Sequence, residues 1–144
     1  MFAPKLLLKS PRLASFLKIS KATMSTSSIL SAKGITFSSE TPGPIEISIA
    51  EKISEKLNPE SLVIFNDSHK HAGHHGLRGA SNTTESHFRL EVISGAFAPY
   101  KTQPNRHRLI YNILDDELKT KGVHALQLKT KTPEEIAKLQ KTLG

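Results

Sequence analysis

Apolar positions fall four residues apart at Ile45, Ile49, Ile53 and Leu57, which predicts one face of a helix over about 45–57, with Pro44 suited to its first turn and Asn58-Pro59 to its end. The period then drops to two. Ser61–Asp67 (SLVIFND) is short and β-branched, and His87–Ser94 (HFRLEVIS) sets Phe88, Leu90 and Val92 against Arg89 and Glu91, so two strands are predicted. The polar stretch between them is too long for a tight hairpin turn, and loops of that length are commonly functional. A second helix is predicted over about 104–120, where Leu109, Ile113 and Leu118 with Ile110 and Leu114 make a wide apolar face and Gly122 ends the run. Val123–Lys129 reads as a third strand. Thr132-Pro133-Glu134-Glu135 starts a last helix, with Thr as cap, Pro at the first helical position and Glu placed for a capping box. The order αββαβα implies an α+β unit: a three-stranded sheet with helices on one face.

The chain of 144 residues carries a net charge of +7, but the charge is uneven. Residues 1–43 hold Lys5, Lys9, Arg12, Lys18, Lys21 and Lys33 against Glu40 alone, a net of +5, and residues 44–144 keep only +2. The leader mixes these cations with Leu6, Leu7, Leu8, Leu13, Phe16 and Leu17, and no acid precedes Glu40. That is the chemistry of a mitochondrial presequence, whereas Leu6–Leu8 is too short for a secretory signal. Residues 1–43 are therefore read as presequence and flexible linker, and residues 44–144 as the folded domain. Initiation at Met24 would remove most of the basic segment and leave a cytosolic form. The apolar runs are only a few residues long, so no membrane span is expected. With no cysteine in the chain, disulfides, thiolate zinc sites and thiol nucleophiles are excluded.

Histidine supplies the candidate chemistry. His69, His71, His74, His75 and His87 fall in or beside the long loop, and small residues in SHKHAGHHG let the backbone bend several imidazoles toward one centre. Imidazole suits zinc, copper, nickel and iron, so spacing alone leaves the metal undetermined, and a solvated polar loop is the plain alternative. His124 stands apart, alternating with Leu126 and Leu128 as a core histidine would. Arg106, His107 and Arg108 enter the second helix, where two guanidiniums at a helix N-terminus suit an acidic partner or simply face solvent.

Four segments, FNDSHKHAGHHG (65–76), ESHFRLEVISGAF (85–97), NRHRLIYNILDDEL (105–118) and VHALQLKTKTPEE (123–135), resemble the BolA family. The resemblance covers about two-thirds of the chain. It implies the topology of a type II KH domain and a role in iron–sulfur metabolism, in which a [2Fe–2S] cluster is shared with a monothiol glutaredoxin and glutathione. The family's strand ligand falls on His124 and its loop ligand on His71, with His74 as an alternative. The usual FEG segment is replaced by Phe97-Ala98-Pro99. The expected function is a non-enzymatic factor of the mitochondrial matrix that helps mature iron–sulfur recipient proteins; a homodimer stays open. The rival is a KH-like nucleic-acid-binding or transcription-related regulator. Its GxxG (Gly76–Gly79) lies between strands rather than helices, and +2 over residues 44–144 is a weak footprint for nucleic acid. A histidine-metal hydrolase lacks HExxH or a paired acid and base.

Overall fold

The computed structural model describes Leu30, residues 33–71 and residues 83–144. Its elements are β1 (Ile35–Phe37), α1 (Pro44–Leu57), β2 (Ser61–Asn66), a 3-10 turn (Ser68–His71), β3 (His87–Ile93), a second 3-10 turn (Gly95–Phe97), α2 (Gln103–Ile113), α3 (Asp115–Lys119), β4 (Ala125–Lys131) and α4 (Pro133–Leu143). The sheet has four strands in the order β1-β2-β3-β4, not three. The added strand, Ile35–Phe37, lies in what reads as linker and pairs parallel to β2, so the folded unit reaches back beyond Pro44. The central pair is antiparallel and β3–β4 is parallel.

The period-four stripe is buried as expected: Ile45, Ile49, Ile53 and Leu57 pack on Leu62 and Ile64 of β2, Phe88, Leu90 and Val92 of β3, and Ile110 and Leu114 at α2 and its end. Asn58 closes α1 in the left-handed region at φ 39°, its N–H donating to Ser54 O. At the other end Glu85 bonds across the fold. Its Oε1 accepts from the N–H groups of Ile45 and Glu46 at 2.9 and 3.0 Å, taking up two donors that a helix start leaves unpaired. A side chain at Gly43 would occupy the space of that carboxylate.

The helix expected over 104–120 breaks at Leu114 (φ −100°, ψ 19°) into α2 and the short α3. Glu117 of α3 is 1% exposed and accepts from Ser48 Oγ, Lys52 Nζ and Lys121 Nζ at 2.6–2.9 Å, which ties α3 to α1. Burial pushes its carboxyl up, but the hydrogen bonds from Lys52, Ser48 and Lys121 outweigh burial and hold the pKa at about 2.

Thr132 and Glu135 form the expected capping box of α4. This helix departs from the one-faced arrangement. It buries no residue, and its Ile136 lines a shallow groove with Val63, Glu91, Ile93 and Lys131, side chains that alternate with the core positions of their strands and so belong to the opposite face. Along β4, two carbonyls on the side away from β3 are met by α2: Tyr111 Oη donates to Leu126 O at 3.1 Å, and Gln103 Nε2 to Thr130 O at 3.0 Å. No described helix is long and apolar enough to cross a membrane.

Candidate functional site

Strand register gathers histidines at one end of the sheet. Because β3 and β4 are parallel with His87 opposite Ala125, the two strands begin side by side, and the His87 and His124 rings lie 6.5 Å apart between centroids with planes 8° from parallel. β2 runs the other way, so it ends there too and delivers the turn Ser68–His71 to the same edge.

Two buried serines clasp the base of the loop. Ser68 Oγ donates to Asn66 Oδ1 at 2.6 Å and accepts from the N–H groups of Ser86 and His87 at 3.0 and 3.1 Å. Ser86 in turn accepts from His124 N at 2.7 Å and Ala125 N at 3.2 Å through its carbonyl, and its Oγ lies 2.9 Å from His87 Nδ1. The Ser68 hydroxyl thus joins the turn to the start of β3, and the Ser86 carbonyl joins the start of β3 to that of β4. Beside it Asp67 bonds Lys70 at 2.6 Å and Arg89 at 3.4 Å, and the hydrogen bond from Lys70, with that from Arg89, holds its carboxyl below the usual range despite partial burial.

His124 is exposed rather than a core residue: β4 begins at Ala125, so the side chain precedes the ladder in which Leu126 and Leu128 are partly buried. Its Nδ1 lies 2.8 Å from Gly122 O. A carbonyl only accepts, so in the neutral ring this contact places the proton on Nδ1 and leaves the lone pair on Nε2. His71 occupies the end of the 3-10 turn, but its side chain lies outside the described residues, as do His74, His75 and the GxxG of residues 76–79. Among the described residues, no group of three His, Cys, Asp or Glu side chains gathers to hold a metal ion. The side chains that meet at this edge among the described residues are the imidazoles of His87 and His124.

The three residues expected to meet a partner separate. Arg106 is 4% exposed and spends its guanidinium inward: Nε donates to Tyr100 O at 2.8 Å, and Nη1 and Nη2 grip the Glu135 carboxylate at 2.9 and 2.8 Å. The pair shifts both partners, Glu135 down to about 2 and Arg106 up. His107 is half-buried, and Arg108 is exposed, with Nη1 donating to Asn105 Oδ1 at 3.1 Å. Nor does this helix start meet the histidines. Arg106 also reaches Thr130 O, six residues along β4 from His124, about 20 Å at ~3.3 Å per residue. His87 stands in the histidine-rich stretch of the sequence, but the parallel β3–β4 register is what sets its ring beside His124, while Ser68 and Ser86 carry no sequence signal and meet because antiparallel β2 returns the turn to the start of β3.

Residues 53–135 match the family model described as BolA-like protein. The chain is 46% identical over 89 residues to SufE-like protein 1, chloroplastic/mitochondrial, of Arabidopsis thaliana, a match that covers 61% of this chain and 24% of that protein. It is 41% identical over 90 residues to the UV-induced protein uvi31 of Schizosaccharomyces pombe, covering 62% of this chain and 86% of that one. The chain thus spans about a quarter of the first relative and most of the second. Among solved structures, the BolA domain of SufE1 from Arabidopsis thaliana superposes with a TM-score of 0.57 at 41% identity, covering 66% of this chain and 99% of that one. With the mixed α/β sheet in place and more than half the chain matched by the family model, this protein belongs to the BolA family.

Proposed function

We propose that this chain supplies imidazole ligands to a [2Fe–2S] cluster shared with a monothiol glutaredoxin and glutathione, and that it acts without catalysis of its own in the maturation of mitochondrial iron–sulfur proteins. The observation that carries the reading is the exposed His124 ring with Nδ1–H spent on Gly122 O, beside the end of the sheet to which the turn bearing His71 is clasped. His71, or His74 in its place, is the loop ligand in this reading. The absence of cysteine supports it: thiolates for one iron come from the glutaredoxin and glutathione, and two neutral imidazoles hold the other, as in mixed Cys/His clusters. When bound, the cluster supplies one-electron redox chemistry; this chain binds, orients and releases it. Replacing anionic thiolates by neutral imidazoles raises the cluster's reduction potential and makes retention pH-dependent, because a protonated imidazole does not ligate. Arg108 and His107, on α2 between its contacts to Thr130 and Leu126, are the cation and imidazole offered to an acidic partner surface; Arg106 takes no part. The basic leader directs the chain to the matrix.

The test is reconstitution of the purified chain with a monothiol glutaredoxin, glutathione, iron and sulfide, followed by visible absorption and circular dichroism. A spectrum distinct from that of the glutaredoxin alone is expected. Identical spectra refute the reading, and tight, sequence-selective DNA binding at physiological salt would replace it with the regulator reading.

A further inference from the structure

The structure assigns Gly122 a positioning role: its left-handed backbone holds its carbonyl against His124 Nδ1, so the free protein keeps this imidazole as the Nδ1–H tautomer before any partner arrives. The use of such a lock rests on His124 being a ligand, as proposed above; the lock itself is a property of the apo chain.

The main chain on both sides of Gly122 is pinned. Lys121 N donates to Asp116 O at 3.2 Å, Val123 N to Glu117 O at 3.2 Å, and His124 N to Ser86 O at 2.7 Å. Val123 is 5% exposed, anchored in the core cluster. To pass from the end of α3 into β4 between those anchors, the chain turns at Gly122 with φ 80°, a conformation that L-residues rarely adopt and glycine adopts freely. That turn puts Gly122 O 2.8 Å from Nδ1. The carbonyl accepts the proton's hydrogen bond and offers none in return, so only one neutral tautomer satisfies the contact.

The consequence is selective. An unconstrained imidazole in water favours the Nε2–H form, which blocks the outward nitrogen. A ligand that is competent in only a fraction of molecules has its apparent affinity lowered by that fraction. A backbone acceptor beside Nδ1 removes this loss in advance, as backbone carbonyls do for metal-bound histidines generally. Glu117 contributes from behind: its side chain holds α3 to α1 while its own carbonyl receives Val123.

The experiment uses the full chain labelled with 15N-histidine, without metal, above the titration range of the ring, read by long-range proton–nitrogen correlation spectra. The wild type is expected to show His124 mainly as Nδ1–H. Gly122→Asn, which tolerates the left-handed region, is expected to retain that pattern. Gly122→Ala is expected to move the tautomer ratio about tenfold toward Nε2–H, the worth of one hydrogen bond. A wild-type ring found mainly as Nε2–H overturns the proposal with no variant needed, as does a folded Gly122→Ala protein with an unchanged ratio. Failure of the ligand reading shows elsewhere, as a His124→Ala protein whose shared-cluster spectrum is unaltered.

Discussion

Replacing Arg106 by alanine is expected to weaken the fold rather than the recognition of a partner. The change removes donors from Tyr100 O and Thr130 O and breaks the two bonds to Glu135. Each lost bond to a carbonyl is worth about 1 kcal/mol. The two bonds to Glu135 are charge-assisted, yet Glu135 is 41% exposed and rehydrates when released, so roughly 1–2 kcal/mol is a fair figure for both together. The total is about 3 kcal/mol, which lowers the melting temperature of a domain this size by roughly 10–20 °C. Arg106→Lys keeps the charge but not the fork, and is expected to recover less than half of the loss. The assay is thermal unfolding of the full chain by circular dichroism, paired with glutaredoxin affinity measured well below the transition. A variant with an unchanged melting temperature and a lost affinity would refute the reasoning, because the guanidinium would then have been turned toward the partner.

Acid sensitivity follows from Glu117, whose pKa is lowered from 4.5 to about 2. A depressed carboxyl stabilises the fold fully above its unfolded value and loses that contribution as pH falls from about 4.5 toward 2, on the order of 3 kcal/mol in all. Glu117→Gln is expected to destabilise the neutral protein and flatten this limb in urea titrations; an unchanged limb counts against it. His124→Ala is expected to alter the shared-cluster spectrum more than His71→Ala, for which His74 or His69 substitutes, and to leave apo stability nearly unchanged because the ring is exposed. A destabilised His124→Ala core with an unchanged spectrum would sink the ligand assignment. Deleting residues 1–23 is expected to abolish matrix import and spare the fold; a tagged truncation that still enters mitochondria in fractionation argues otherwise.

The parts of the fold that were legible in the sequence are those whose signal is local. Ile45, Ile49, Ile53 and Leu57 announce their helix because burial of one stripe needs only the helical period, and Thr132 and Glu135 announce theirs because a capping box lies within four residues. β1 was hidden: Ile35–Phe37 is too short to show alternation, and it exists through parallel pairing with β2, a non-local contact. The break at Leu114 was hidden because the apolar face runs unbroken through it. Arg106 and Arg108 look alike in RHR; what separates them is a carboxylate 29 residues away. The exposure of His124 is hidden for a related reason, since alternation with Leu126 and Leu128 cannot show where the ladder begins.

The side chains of α2 that meet the outer carbonyls of β4 also bear on how copies of this chain meet. A sheet edge is an open template, and strand addition to it is a common route to unwanted association. Here a second strand laid along β4 would have to displace Tyr111 from Leu126 O and Gln103 with Arg106 from Thr130 O before it could form its own ladder. At the opposite edge β1 offers three residues, too few to hold a guest strand in register. Among the described residues both margins of the sheet thus work against strand addition, which turns the helices and loops, rather than the sheet edges, toward any second copy.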